Sequence, residues 1–373
     1  MRRHGFIIFA GAPKLGVPVS IFPKGQPMNQ YTTMQDAPAV PIICDLRSDT
    51  VTAPDAAMRA VMAEAEVGDD VYGEDTTVNR LEATLAERLG KEAGLFLTSG
   101  MQSNLVGLLS HCARGEEIIT GRAYHIWKYE AAGASVLGGI ALDPLEVLGD
   151  GSLDPDSIRA AIKEDDPHHP ITRLLTLENT HNGLAVPLAR CVASADVARE
   201  AGLSVHLDGA RFFNAVEQLG CGETDLAGVF DTVSICLSKG LGAPVGSVLV
   251  GPRDIIDRAR RWRKMLGGGT RQAGVLAAAG LYALEHNVDR LAEDRMRAER
   301  LGQALSAYGE VNQATNMIFF TPNGGVTPAL QHHMAARGVK LSGATGTTRL
   351  VLHKDVTDEG LSAALSGFET YFA

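Results

Sequence analysis

Short apolar segments of strand type alternate with helical segments along most of this chain, and that alternation limits the fold more than any other feature. Strand-type runs fall at Gly94–Thr98, Glu117–Thr120, Ser135–Ile140, Leu174–Leu177, Leu203–Leu207, Thr232–Leu237 and Ser247–Val250. Helical patterns lie between several of them. Thr76–Leu89 carries Leu81, Leu85 and Leu89 on one face, with Thr76 or Thr77 near its cap, and Leu188–Ala201 is another helix. The strands are apolar on both faces, which predicts an α/β fold: a mainly parallel sheet covered by helices on each side. After Arg253 the pattern changes. Helices run to Tyr308, including a charged one over Val288–Leu305. Shorter elements follow at Met317–Thr321, Thr327–Arg337, Val339–Leu341, Thr347–His353 and Thr357–Tyr371. They predict a small C-terminal α+β domain at 291–373, after a large domain at 44–290.

A length of 373 residues suits one large and one small domain. The formal charge of −10 argues against a nucleic-acid partner, because counterion displacement needs a basic surface. The basic cluster Arg258–Lys264 reads as a solvated or interfacial helix face, Arg258, Arg260, Arg261 and Arg263 included. Five cysteines at 44, 112, 191, 221 and 236 show neither zinc spacing nor a disulfide framework, so buried free thiols and a cytoplasmic location are expected. No apolar run reaches the roughly 18 residues of a membrane span. Residues 1–43 carry basic residues, scattered Gly and Pro, and a short apolar patch at Phe6–Ala10 that Gly11, Pro13 and Lys14 interrupt. This segment reads as a disordered extension or an early start, Met28 and Met34 being alternative starts, rather than a signal peptide.

Two strand-type runs end in the same way. LSVHLDGAR (Leu203–Arg211) stops at Asp208-Gly209, and VSICLSKGLG (Val233–Gly242) stops at Lys239-Gly240. Ligands of an open α/β sheet sit beyond the carboxyl ends of its strands. Alone, Asp208 could be a helix cap and Lys239 a surface amine. Together they match what pyridoxal 5'-phosphate needs: an amine for a Schiff base, and a carboxylate opposite the pyridine nitrogen. A phosphate cradle is also required, made of backbone N–H groups at a helix N-terminus after a tight turn. Leu97–Asn104 (LTSGMQSN) offers one at Ser99, Gly100 and Met101.

The motifs around these residues resemble the low-specificity L-threonine aldolases, pyridoxal-phosphate enzymes of fold type I, from Cys44 almost to the C-terminus. They are DLRSDTVT (Asp45–Thr52), VGDDVYGED (Val67–Asp75), ENTHN (Glu178–Asn182), HLDGAR (His206–Arg211), LSKGL (Leu237–Leu241) and MLGGG (Met265–Gly269). The resemblance implies the pyridoxal-phosphate-dependent transferase-like fold and assigns roles. Lys239 carries the Schiff base and Asp208 faces the ring nitrogen. His125 stacks on the ring near the substrate hydroxyl, and His181 is the second active-site histidine. Arg349 grips the substrate carboxylate, assisted by Ser48 and by Arg211, which also belongs to the cofactor site. Lys264 and Arg271 reach the cofactor phosphate of a neighbouring subunit, implying a homotetramer with shared active sites.

Two departures stand out: Met101 replaces the family threonine, and the loop at 182–187 is short. The implied reaction is retro-aldol cleavage of L-threonine, L-allo-threonine and related β-hydroxy amino acids to glycine and an aldehyde. Either histidine, directly or through a water, is the candidate base. The alternatives are a lyase of the same scaffold acting by β-elimination, and an idle relative serving as a binding protein. Neither a metal nor a membrane is implied.

Overall fold

Runs of Val, Ile and Leu with few polar interruptions make strands that are buried on both faces, and here they assemble into one large sheet. The computed structural model describes residues 40–342 and 346–373; the extension read from the sequence lies, up to residue 39, outside the described residues. The strands are β1 (Cys44–Asp45), β2 (Ala93–Leu97), β3 (Glu116–Gly121), β4 (Ala141–Leu145), β5 (Ile171–Glu178), β6 (Ser204–Gly209), β7 (Thr232–Cys236), β8 (Ser247–Gly251), β9 (Gly309–Ala314), β10 (Met317–Pro322), β11 (Val339–Lys340) and β12 (Thr348–Val351). The seven-stranded sheet has the order β2-β8-β7-β6-β5-β3-β4. Its strands are parallel except β8, which runs against both of its neighbours.

The two faces of this sheet follow from the two-residue period of a strand. Leu175, Leu177, Val205, Leu207, Val233 and Ile235 join the main core on one face. Leu174 and Ile118 pack into a second cluster with Leu108 and Ile126, and Leu95 and Leu249 into a third with Val106 and Ile256. Each fully buried aliphatic side chain contributes about 1.5–3 kcal/mol relative to exposure. The helix Thr76–Arg88 presents Leu81 and Leu85 to the main core, and its cap is Asp75, whose Oδ1 accepts from Val78 N at 3.0 Å, rather than Thr76 or Thr77.

Toward the C-terminus a three-stranded antiparallel sheet, β12-β10-β9, covers another core containing Leu330, Met334, Leu350 and Phe368. The helix Leu291–Leu305 starts with Leu291 in the main core and continues with Ala298, Leu301 and Leu305 in this one. We propose the domain boundary at that helix's start. Cys44 and Leu46, assigned to the large domain by sequence, pack instead in the C-terminal core, and β1 pairs in parallel with β11.

Three further expectations change. Ser135–Ile140 was expected as a strand, but Gly133–Gly138 is a helix that leaves Val136 and Leu137 exposed and ends at Gly139 with φ 65°. The strand is the next segment, β4, at the sheet edge, where Pro144 is tolerated and hides the strand signal. The polar edge strand β9 (GEVNQA) carries no apolar run and has no counterpart in the sequence reading. Arg263 is not a surface charge: only 3% exposed, it donates to Asp70 Oδ2 at 2.6 Å and to the Phe96 carbonyl at 2.9 Å. Arg258 and Arg260 are partly engaged as well, with Ser110 O and Glu82 respectively.

Candidate active site

Neighbouring central strands β5, β6 and β7 bring three chain segments to the carboxyl end of the sheet. Glu178, Asp208 and Ser234 lie side by side in register, and Lys239 follows three residues after β7. The chain can turn there because Gly242 adopts φ +78°, a conformation that side-chain-bearing residues rarely take. The Lys239 carbonyl is held by Gly242 N at 2.8 Å and by Thr52 Oγ1 at 2.9 Å, which ties the DLRSDTVT segment to the lysine loop.

Ser99 caps the helix Gly100–His111, its Oγ accepting from Gln102 N at 3.2 Å. The first-turn amides of Gly100 and Met101 have no carbonyl four residues back within the helix and face outward. Met101 is 44% exposed, so no hydroxyl stands where the family threonine would. Ser247, the first residue of β8, has a buried hydroxyl without a partner, and it lies 3.7 Å from the position a Gly100 Cβ would occupy. The Leu266–Gly269 loop packs on the same helix end: a Cβ on Gly268 would collide with the Gln102 amide. Lys264 is exposed and lies over Gly269, while Arg271 pairs with Asp69 at 3.5 Å.

Asp208 is 3% exposed. Its Oδ2 accepts from Asn104 Nδ2 at 2.9 Å and its Oδ1 from Ala210 N at 3.0 Å. The same Asn104 amide donates to Glu130 Oε1 at 2.8 Å, and Glu130 Oε1 in turn meets His125 Nδ1 at 2.8 Å. His125 begins a short helix with its backbone N–H on Glu178 Oε2 at 2.6 Å, and its side chain is 42% exposed. The hydrogen bond to Glu130 raises the His125 pKa against the opposing effect of burial. Burial raises that of Glu130, offset in part by the same hydrogen bond.

His181 stands differently. Its side chain is 7% exposed, Nδ1 contacts Glu178 Oε1 at 2.8 Å, and Nε2 lies 3.1 Å from Asn182 Nδ2. Tyr124 packs its ring against His181, centroids 5.3 Å apart. Glu178 thus anchors the His125 backbone and the His181 ring at once.

Arg211 turns its fork onto Asp49. Nε and Nη2 each donate to Asp49 at 2.7 Å in a buried pair. Burial would raise the Asp49 carboxyl, yet the Arg211 charge and hydrogen bonds hold it well below the usual carboxylate range, with a smaller contribution from Lys239. Ser48 Oγ caps the following turn, accepting from Thr50 N at 3.2 Å. Arg349, on β12, donates from Nη2 to the Arg47 carbonyl at 3.3 Å, so the C-terminal sheet meets the segment next to Ser48. The structure therefore gathers Asp208, His125 and Asn104 in one cluster, and Asp49, Arg211 and Lys239 in a neighbouring one. Glu130 escaped the sequence reading, since nothing in its spacing distinguishes a buried polar residue from an ordinary surface or core position, and His206 carried no role there although it stands in HLDGAR. Glu178 and Asn104 were inside quoted motifs but carried no assigned role.

Among described residues no helix is long and apolar enough to cross a membrane. The Beta-eliminating lyase family profile matches residues 45–321. The low specificity L-threonine aldolase of Escherichia coli K12 is 50% identical over 88% of this chain and 99% of its own length. Low-specificity L-threonine aldolase 1 of Arabidopsis thaliana is 42% identical over 87% of this chain and 95% of its own. Among solved structures, a threonine aldolase from Leishmania major superimposes with a TM-score of 0.75 at 20% identity, covering 88% of this chain and all (100%) of that one, a likeness of fold. The cluster at the carboxyl end of the sheet and these matches over most of the chain lead to one conclusion: the chain belongs to the low-specificity L-threonine aldolase family, within the β-eliminating lyases.

Proposed function

We propose that this enzyme cleaves L-threonine, L-allo-threonine and related L-β-hydroxy-α-amino acids to glycine and an aldehyde, with pyridoxal 5'-phosphate as cofactor. The observation that carries this reading is the placement of Lys239, Asp208 and the Ser99–Met101 helix start at one end of one sheet, in a chain 50% identical to an L-threonine aldolase. The residues present fit the cofactor. Outward amides at Gly100 and Met101 and the orphan Ser247 hydroxyl suit a phosphate, Lys239 supplies the amine, and Asp208 supplies the carboxylate for the ring nitrogen. When bound, the cofactor supplies an electron sink for the pair released at Cα.

The remaining work falls to the chain's own side chains. Arg349 holds the substrate carboxylate, because the Arg211 fork is committed to Asp49. His125 receives the β-hydroxyl proton at Nε2: its Nδ1 is bound to Glu130, and its ring is the more exposed of the two histidines. As that proton leaves, the Cα–Cβ bond breaks, the aldehyde departs, and a proton returns to Cα to give glycine. His181, buried and held at both nitrogens, positions the wall of the site.

We also read the assembly as a homotetramer with shared active sites. Tyr72, Val136, Leu137 and Met265 are 78%, 72%, 53% and 73% exposed, a cost in water that contact with another subunit would remove. Lys264 and Arg271 would then reach a neighbour's phosphate. Five free cysteines accord with a cytoplasmic location.

A product assay on L-threonine and L-allo-threonine tests the reaction. Glycine with acetaldehyde is expected. A 2-oxo acid with ammonia would establish β-elimination instead. Lys239→Ala should abolish both turnover and the visible absorption of the cofactor while leaving the fold intact.

A further inference from the structure

Asn104 sits where two carboxyl groups meet. Its Nδ2 donates to Asp208 Oδ2 at 2.9 Å and to Glu130 Oε1 at 2.8 Å, and the side chain is 2% exposed. Carboxylate oxygens of Asp208 and Glu130 and a ring nitrogen of His125 lie within 4.8 Å of one another. Buried like-charged groups at such a distance are unfavourable unless a donor stands between them. The amide has only one satisfactory orientation, because turning it over would set its oxygen against both carboxyl groups.

That orientation is enforced from behind. The Asn104 Oδ1 faces His206 Nε2 at 3.3 Å, so His206 must donate there. His206 Nδ1 then accepts from Thr232 Oγ1 at 2.8 Å, and Thr232 Oγ1 accepts from His111 Nε2 at 2.8 Å. Burial lowers the pKa of His206 to about 3 and that of His111 to about 4, so both rings are neutral near pH 7 and the donors all run one way. The direction is His111 to Thr232, to His206, to Asn104, and finally to the two carboxyl groups.

We propose that Asn104 is a positioning residue for the cofactor: it keeps Asp208 apart from Glu130 and aimed at the ring nitrogen, its own orientation locked by His206. The same amide fixes Glu130, and through it the His125 ring, so the group opposite the ring nitrogen and the group beside the reacting bond share one support. Without the amide, two carboxyl groups this close share a proton and hydrogen-bond to each other, as carboxylate dyads do. Asp208 then turns from the ring nitrogen, and the cofactor must break that pair to bind. This inference rests on the reading that pyridoxal phosphate occupies the site.

The test is a double-mutant cycle on cofactor affinity, measured by titrating pyridoxal phosphate into resolved apo-protein and following absorbance, with apo-protein melting recorded alongside. Asn104→Ala is expected to weaken cofactor binding about tenfold or more, on the order expected for a lost hydrogen bond to a charged group. Glu130→Gln alone should change it less than about threefold, because Asn104 still serves Asp208. In the Glu130→Gln background, Asn104→Ala should cost less than about threefold, since no carboxyl pair can form. Equal losses in both backgrounds would overturn the proposal and leave Asn104 a packing residue. Should Asn104→Ala fail to fold, Asn104→Ser makes the same comparison, its single hydroxyl being able to donate to only one carboxyl group. Wild-type protein that takes up no pyridoxal phosphate would instead refute the cofactor assignment.

Discussion

Asp49→Ala is the sharpest perturbation the structure offers. It strips the partner from Arg211, whose side chain is 14% exposed beside a carboxylate that is 0% exposed. Both hydrogen bonds are 2.7 Å, so the guanidinium would be left buried with two donors unsatisfied. Removing one member of such a pair costs about 3–5 kcal/mol, a large share of the ~5–15 kcal/mol that holds a folded protein. At about 2.1 cal/mol/K per residue, a chain of 373 residues has an unfolding entropy of about 0.8 kcal/mol/K, so the midpoint should fall by about 4–6 °C. The assay is thermal melting at fixed protein concentration, with Arg211→Ala and the double variant alongside. The double variant should be less impaired than the two single losses added together, because no charge is left alone. The sign with pH follows from the depressed Asp49 pKa: its contribution is present above the unfolded carboxyl value of about 3.9 and lost as pH falls through the folded value. The advantage of wild type over Asp49→Ala should therefore hold at neutral pH and shrink only in strong acid. A midpoint within 1 °C of wild type would refute the reasoning and return Arg211 to the candidates for substrate carboxylate binding.

Other outcomes follow from the same geometry. Arg349→Lys should raise KM for L-threonine about ten- to a hundredfold, since a planar fork is replaced by a point charge; steady-state kinetics within twofold of wild type would remove Arg349 from that role. The Glu130 hydrogen bond raises the His125 pKa, with Asp208 also raising it and burial and Lys239 opposing. If His125 is the base, the acid limb of the kcat/KM–pH profile should therefore lie above the ordinary histidine value. Glu130→Gln should move that limb down by about one unit, and an unmoved limb would disconnect His125 from the profile. Removing residues 1–39 should leave activity unchanged, as the motifs begin at Asp45. Cutting at 43 instead removes the Ile43 amide that donates to Gly338 O at 2.9 Å, and melting should show a lower midpoint for that shorter chain alone.

Residue pattern by itself determined the α/β sheet and the chemical kit at its carboxyl end. Apolar runs such as Leu203–Leu207 and Thr232–Leu237 can be buried on both faces only in a covered parallel sheet, and chain connectivity then puts Asp208 and Lys239 at strand ends. Local cues failed where a segment's state depends on distant partners. Ser135–Ile140 is apolar enough for a strand, yet packing against the helix Gly100–His111 makes its first part helical, while Pro144 disguises the true edge strand. The pairing of Cys44 with Val339 is equally invisible, because register across nearly the whole chain leaves no trace in short-range periodicity. So it is with the site. Its lysine and aspartate announce themselves through the strand-to-glycine punctuation around them. That Arg211 belongs to Asp49 and that Asn104 stands between two carboxyl groups were decided only by tertiary structure, since those hydrogen bonds of a few ångströms join residues 26 to 162 positions apart.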